Sequence, residues 1–175
     1  GCALPISAII QAGTSSKGID FAAKYSDAIF AIQPRAEDAA NYFQTVKGRM
    51  DVFERKTSDC KILFGMQPII GESEAEAFEK QEIHNSLVPL DGGMAILSSH
   101  LDFDLSKLAK NEILEARDEP ELQRMKTRYR NQLGEPMEVA EIAARHGQSV
   151  GLPQFVGTST MVADQMEAFI DEVGG

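Results

Sequence analysis

Basic residues are scarce. Lys and Arg number 17 against 27 Asp and Glu, which leaves a formal net charge of −10 over 175 residues. Such a balance excludes nucleic acid and anionic membrane as main partners, because both attract clustered positive charge. The densest basic run, 124–130, is interleaved with other residue types. Cysteine occurs only twice, as Cys2 and Cys60, with no disulfide framework and no metal-ligand spacing. That usage suits a reducing cytoplasm, and Cys60, just before an apolar run, reads as a buried or strand-edge thiol. No apolar run approaches the roughly 20 residues of a membrane span. The first residues lack a charged segment followed by a long apolar core, so no secretory leader is expected. Internal repeats and low-complexity tracts are missing too. What remains is an ordinary globular composition, 43% hydrophobic and 25% charged, long enough for one domain with a real core.

The chain is organised around a stretch near its start. Ile6-Ser7-Ala8-Ile9-Ile10-Gln11 runs into Ala12-Gly13-Thr14-Ser15-Ser16-Lys17-Gly18, and Ile19-Asp20-Phe21-Ala22-Ala23 then reads as helix. A strand, a tight turn and a helix N-terminus together make an anion site. The first helical N–H groups have no partner inside the helix, and the helix dipole adds partial positive charge. Gly13 lets the backbone turn and approach a ligand. The hydroxyls of Thr14, Ser15 and Ser16 can serve a phosphate or can simply cap the helix; spacing alone leaves both open.

Residues 6–11 read as a strand apolar on both faces, the pattern of a parallel strand covered on each side. A helix over 16–25 follows, then a short apolar strand over 27–32. The next helix, 35–53, buries a stripe of Ala36, Ala39, Ala40, Phe43, Val46, Met50 and Phe53. Residues 61–71 read as a long third strand, interrupted by Pro68. Ser73 with Glu76 is a capping-box pattern opening a helix that reaches about Asn85. This βαβαβα order predicts a parallel sheet with right-handed crossovers.

Between about Ser86 and Gly151 no strand-like run appears. Helices are expected over 89–99 and 137–146, the second with Pro136 at a favoured first-turn position. Residues 111–130 are charged, with weak periodicity, and read as partly mobile. The whole stretch 86–151 is a helical insertion within one α/β domain spanning 1–175. Phe155-Val156-Gly157-Thr158 restores the strand pattern, and Thr158 caps a final helix over 159–172. The chain starts almost on a strand and stops where a loop should lead into another, so both ends look cut.

The ordered set of motifs resembles the bacterial luciferase-like flavin-dependent monooxygenases, in the branch that oxidises nitrilotriacetate, EDTA, long-chain alkanes and dibenzothiophene sulfone. The residues that carry the resemblance are Gln11-Ala12-Gly13-Thr14-Ser15 with Gly18 and Phe21-Ala22-Ala23, and Asp27-Ala28-Ile29-Phe30. Lys61-Ile62-Leu63, Pro68-Ile69-Ile70-Gly71 and Ser73-Glu74-Ala75-Glu76-Ala77 continue it. Val156-Gly157-Thr158 with Val162-Ala163-Asp164 closes the set. The resemblance implies the C-terminal part of a (β/α)8 TIM barrel, about three parallel βα units at roughly strands five to seven. It implies reduced FMN supplied by a separate flavin reductase, and O2 used to oxygenate a small organic substrate. It places the FMN phosphate at Gly13, Thr14, Ser15 and Ser16, with Ser15 the best hydroxyl donor. The family often has an acidic residue where Ser16 stands and a proline where Ser159 stands.

The same resemblance puts the catalytic histidines in sequence this chain lacks, so no catalytic residue is assigned and the fragment alone is expected to be inactive. His84, His100 and His146 are isolated in the sequence; His100, in the insertion, is the one to watch. Asp102 and Asp104 read as a solvated loop, not a metal site. Gln33 and Gln67, near strand ends, read as structural, and the Phe and Met residues at helical spacing as core. Two other readings stay in view: a phosphate-ligand-binding module without chemistry, and an assembly piece that pairs with another copy or a missing segment through open sheet edges.

Overall fold

The computed structural model describes residues 7–131 and 134–174. Ile6, the first residue of the expected opening strand, and Cys2 lie outside them. The described strands are β1 (Ile10–Ala12), β2 (Ala28–Ala31), β3 (Lys61–Phe64), β4 (Gln67–Ile70) and β5 (Gln154–Gly157). The helices are α1 (Ser16–Tyr25), α2 (Ala36–Val52), α3 (Glu74–Ser86), α4 (Leu90–Leu101), α5 (Pro120–Arg128), α6 (Val139–Ser149) and α7 (Ser159–Val173). The fold is α/β, and its chain divides into two compact units, 1–67 with 163–175 and 68–162.

In the first unit β1, β2 and β3 form a parallel sheet in that order. Gln11 lies beside Ile29 and Ile29 beside Ile62; one position on, Ala12, Phe30 and Leu63 align. Side chains alternate between faces along a strand, so the two rows face opposite ways. The Ile29 row is packed with Ala22 and Ala23 of α1 and Val46 and Met50 of α2. The other row is exposed: Ile10 at 64%, Leu63 at 47% and Phe30 at 39%. Burial on both faces, expected from the strand pattern, is therefore met on one face only among the described residues.

Two further details depart from the sequence reading. The expected long strand 61–71 is two strands, because Gly65-Met66 breaks the run and Gln67–Ile70 pairs with β5 in a separate two-stranded sheet. The buried stripe of α2 is Ala39, Tyr42, Val46 and Met50, so Tyr42 takes the inward place expected of Ala40 and Phe43. Arg55, just past α2, ties this unit together. Its guanidinium donates to the carbonyls of Ala22, Ala23, Ser26 and Asp59 at 3.3, 3.2, 2.9 and 3.0 Å. Three of these lie at the end of α1, where carbonyls run out of helical partners; that of Ala22 also accepts the Ser26 N–H at 3.0 Å. Lys47 does the same for the carbonyls of Thr57 and Cys60, at 2.6 and 2.7 Å. Cys60 is fully buried, and burial pushes its thiol up.

The second unit is built on α4 against α6. Gly93 and Gly147 make the close approach possible: a Cβ on Gly147 would lie 2.9 Å from the Gly93 Cα and from Val88 Cγ1. Around this crossing Leu97, Leu101, Leu105, Leu122, Met125 and Ile142 form a continuous core. The stretch read as partly mobile contains α5, with Pro120 in its first turn and Lys126 and Arg128 in its last. Its buried residues Leu122, Met125 and Tyr129 recur at helical spacing, a stripe of only three hidden among charges. Ser73 caps α3 by accepting from the Glu76 N–H at 3.2 Å. The Glu76 carboxylate reaches one residue beyond the capping-box position, to the Glu72 N–H at 2.9 Å.

Candidate functional site

The turn after β1 combines the strain, donors and support of a ligand-holding loop. Gly13 has φ of 146°, a region that side-chain-bearing residues rarely adopt. Ser15 is the N-cap of α1, with φ −70° and ψ 155°, and its Oγ accepts from the Gly18 N–H at 3.2 Å. That bond uses a lone pair and leaves the hydroxyl proton to donate. The Ile19 N–H bonds the Ser15 carbonyl at 2.9 Å. Among the described residues the N–H groups of Ser16 and Lys17 meet no acceptor. The side chains of Thr14, Ser15, Ser16 and Lys17 are exposed. Two outward N–H groups, a donating hydroxyl and a helix dipole suit a phosphate.

The turn is held from beneath by two side chains. The Tyr42 hydroxyl donates to the Gly13 carbonyl at 2.8 Å. Burial and the neighbouring Cys60 push the Tyr42 phenol up to about 12, so it stays a neutral donor across the working pH range. Gln11 Nε2 donates to the Ala12 carbonyl at 3.2 Å. A Cβ at Gly18 would lie 3.0 Å from that same Nε2 and 3.2 Å from Ser15 Oγ. Gly18 is thus the seat on which the Gln11 amide and the capping serine rest. Neither Tyr42 nor Gln11 was expected at this site. The signal for Tyr42 was its position three residues after Ala39 and four before Val46.

The charged groups of Asp20, Asp27 and Arg49 have partners. Arg49 pairs with Asp20 in a two-pronged contact, Nε to Oδ1 and Nη2 to Oδ2 at 3.2 Å. The Arg49 guanidinium holds the Asp20 carboxyl below the usual carboxylate range. Asp27 accepts from the Ile9 N–H at 2.8 Å, fixing the chain ahead of β1.

The histidines are not isolated. His100, at the end of α4, and His146, on α6, place Nδ1 and Nε2 2.8 Å apart, and His146 Nδ1 lies 2.6 Å from the Tyr129 hydroxyl. Their separation of 46 residues hid the contact. His84 Nε2 meets the Gln148 carbonyl at 3.0 Å. Asp104 accepts from the Ser106 N–H and hydroxyl at 3.1 and 2.6 Å, while Asp102 ends α4 in the left-handed region at φ 54°. Both aspartates thus shape the local backbone. Among the described residues no cluster of three or more His, Cys, Asp or Glu is arranged to hold a metal, and no helix is long and apolar enough to cross a membrane.

A parallel α/β fold with an exposed, glycine-bearing turn at a strand's C-terminal end defines a broad class, and comparison narrows it. Residues 3–175 match the family described as luciferase-like monooxygenase. The chain belongs to that family. It is 32% identical over 164 residues to dibenzothiophene-sulfone monooxygenase of Rhodococcus erythropolis, covering 90% of this chain and 36% of that protein. It is 28% identical to nitrilotriacetate monooxygenase component A of Aminobacter aminovorans, covering 94% and 37%. The crystal structure of DmoA from Hyphomicrobium sulfonivorans superposes with a TM-score of 0.77 at 24% identity, covering 94% of this chain and 35% of that one. The chain thus spans little more than a third of the length of the curated relatives it matches.

Proposed function

We propose that this chain is the C-terminal part of an FMNH2-dependent, two-component monooxygenase and supplies the flavin-phosphate turn. Its βα units are then about three of the eight in a TIM barrel, roughly strands five to seven, and 86–151 is a helical insertion between two of them. In a barrel the site lies at the C-terminal ends of the strands, which is where Gly13 to Ser16 stand after β1. The observation that carries the reading is the turn itself: at the start of α1 the N–H groups of Ser16 and Lys17 meet no acceptor among the described residues, next to the exposed Ser15.

In this reading Ser15 donates its hydroxyl, Ser16 and Lys17 donate backbone N–H, and Gly13 and Thr14 carry the chain past the phosphate. Tyr42 and Gln11 keep the turn rigid, so the site is formed before the ligand arrives. Reduced FMN, delivered by a flavin reductase, supplies the O2 chemistry, and an organic substrate receives the oxygen. The exposed row of Ile10, Phe30 and Leu63 is then barrel interior, covered by the strands that relatives carry elsewhere. The same row gives a second reading its support, self-association of the chain through an uncovered apolar face. A cytoplasmic location agrees with the thiol usage.

The test is a titration of the 15N-labelled chain with FMN and, in parallel, with riboflavin. FMN is expected to move the amide resonances of Ser16, Lys17 and Gly18, and riboflavin, which has no phosphate, to leave them in place. Identical responses to the two ligands, or none to FMN, would refute the phosphate assignment.

A further inference from the structure

The second unit holds a chain of hydrogen bonds that the flavin-phosphate reading does not use. It starts at Tyr129, beside which the Arg128 guanidinium lies, 5.9 Å from the ring centre. From Tyr129 the chain passes to His146 Nδ1 at 2.6 Å. It continues from His146 Nε2 to His100 Nδ1 at 2.8 Å. Three helices supply its members: α5 ends at Arg128 and Tyr129, α6 carries His146, and α4 carries His100. The two imidazoles meet edge to face, with ring centres 5.0 Å apart and planes at 87°. His146 is 2% exposed and Tyr129 4%, whereas His100 is exposed.

The direction of the protons follows from what each group can do. The Tyr129 hydroxyl can donate its proton or accept through its oxygen. In one direction the phenol proton points at His146 Nδ1. With Nδ1 accepting, a neutral His146 carries its proton on Nε2 and donates it to His100 Nδ1. His100, accepting at Nδ1, carries its own proton on Nε2, which is the nitrogen away from the contact. The opposite direction needs His146 Nδ1 to donate to the phenol. The phenol proton would then meet no acceptor among the described residues. A buried donor left unpaired is costly, so the first direction prevails. Burial, then His100 and Arg128, push the His146 imidazole down to about 4, which agrees with a neutral ring. Gly151 leaves room for the start of the chain: a Cβ there would lie 2.6 Å from Arg128 Nη2 and 3.3 Å from the Tyr129 hydroxyl.

We infer that Tyr129 and His146 are positioning residues that lock His100 in one tautomer and orientation, so that it presents a single N–H donor, Nε2, from the helical insertion. Both inner nitrogens of the pair are consumed by the chain, so the pair holds no metal ion. His100 instead behaves like an imidazole oriented by a second group behind it, the arrangement by which proteins fix which ring nitrogen faces outward. The inference stands apart from the phosphate turn and survives or fails independently of it.

The test is 15N NMR of the histidine rings in the chain at neutral pH. His146 and His100 are each expected as the Nε2–H tautomer, with the His146 Nε2–H slow to exchange with water. A protonated Nδ1 on either ring would overturn the inference. Replacement separates positioning from plain packing. His146→Gln keeps an acceptor for Tyr129 and a donor for His100, and is expected to leave the His100 ring shifts near the parent values. His146→Leu and Tyr129→Phe remove the directing group, and His100 is expected to move to the averaged shifts of a free imidazole. Gln and Leu variants with the same His100 spectrum would refute the lock. The parent spectrum alone already decides the tautomer if a variant fails to fold.

Discussion

Ser15 has two tasks in the proposed site, and one substitution separates them. Its Oγ caps α1 through the Gly18 N–H at 3.2 Å, and its hydroxyl proton is free for a phosphate. Ser15→Ala removes both, at a cost of about 1 kcal/mol in stability and about 1.5–3 kcal/mol in FMN binding, since the lost bond is charge-assisted. Ser15→Asp removes only the second. Aspartate caps as well as serine, and its charge is favoured by the helix dipole by about 0.3–1 kcal/mol. Toward a phosphate it is repulsive. Two unit charges about 4 Å apart interact by about 1 kcal/mol in water and about 4 kcal/mol near a protein surface. Added to the lost donor, this gives about 2.5–7 kcal/mol, about sixtyfold or more in affinity. The thermal midpoint of Ser15→Asp should therefore equal or exceed that of the parent. FMN should no longer shift the Ser16 and Lys17 amides at concentrations that saturate the parent, and weak riboflavin contacts elsewhere should be unchanged. FMN binding that survives in Ser15→Asp, or Ser15→Asp destabilised as much as Ser15→Ala, would refute the reasoning.

Arg55→Met removes a donor from four carbonyls, of which that of Ala22 keeps the Ser26 N–H, and should destabilise the first unit by about 1.5–3 kcal/mol in urea unfolding, the range for hydrogen bonds from a charged group. Gly93→Ala drives a Cβ into the Ala143 carbonyl and should cost about 1–3 kcal/mol or more in the same assay; Gly48→Ala, with nothing within 4 Å of its Cβ, should stabilise α2 by about 0.5–1 kcal/mol. His146 is neutral in the fold at about 4, against 6.5 for a free histidine. The unfolded chain therefore binds the proton first, and stability present above about pH 6.5 should fall by up to about 3 kcal/mol as the pH drops toward 4. His146→Gln should flatten that slope in urea titrations across the interval. Phe30→Lys on the exposed sheet face should reduce self-association of the chain in sedimentation at a stability change within about 0.5 kcal/mol.

The fold was legible where each element buries its own stripe. The β1–α1–β2–α2–β3 order, the Ser73 cap and the helices around Met94 and Ile142 follow from local periodicity and need no partner to be recognised. What escaped depended on contacts between distant residues. The run 61–71 is mostly apolar, and nothing within it says that Gln67–Ile70 leaves the first sheet to pair with Gln154–Gly157. In α5 the charges outnumber the apolar positions, so Leu122, Met125 and Tyr129 became a stripe only once α4 and α6 supplied the other wall of the core.

The candidate site divides in the same way. Gly13, Ser15 and Gly18 could be found because a positive-φ turn and an N-cap demand particular residue types at fixed offsets. Their supports could not, since a tyrosine 29 residues away from Gly13 and a histidine 46 residues from His100 obey no such offset. Both supports occupy inward positions on amphipathic helices, where an apolar residue would pack as well. Tyr42 shares its stripe with Ala39, Val46 and Met50, and His146 shares one with Val139, Ile142 and Ala143. A polar ring tip in such a stripe costs free energy unless it is paired. A polar residue in an otherwise apolar stripe therefore marks a partner elsewhere in the chain. By that rule Tyr42 points to the Gly13 turn, and His146 to the His100–Tyr129 pair. Tyr42→Phe tests the first half of the rule. It keeps the packing and removes the hydroxyl, so it should cost about 1 kcal/mol, raise hydrogen exchange at Ser16 and Lys17 and weaken the FMN response there. Unchanged exchange at the turn would mean that the tyrosine only fills space.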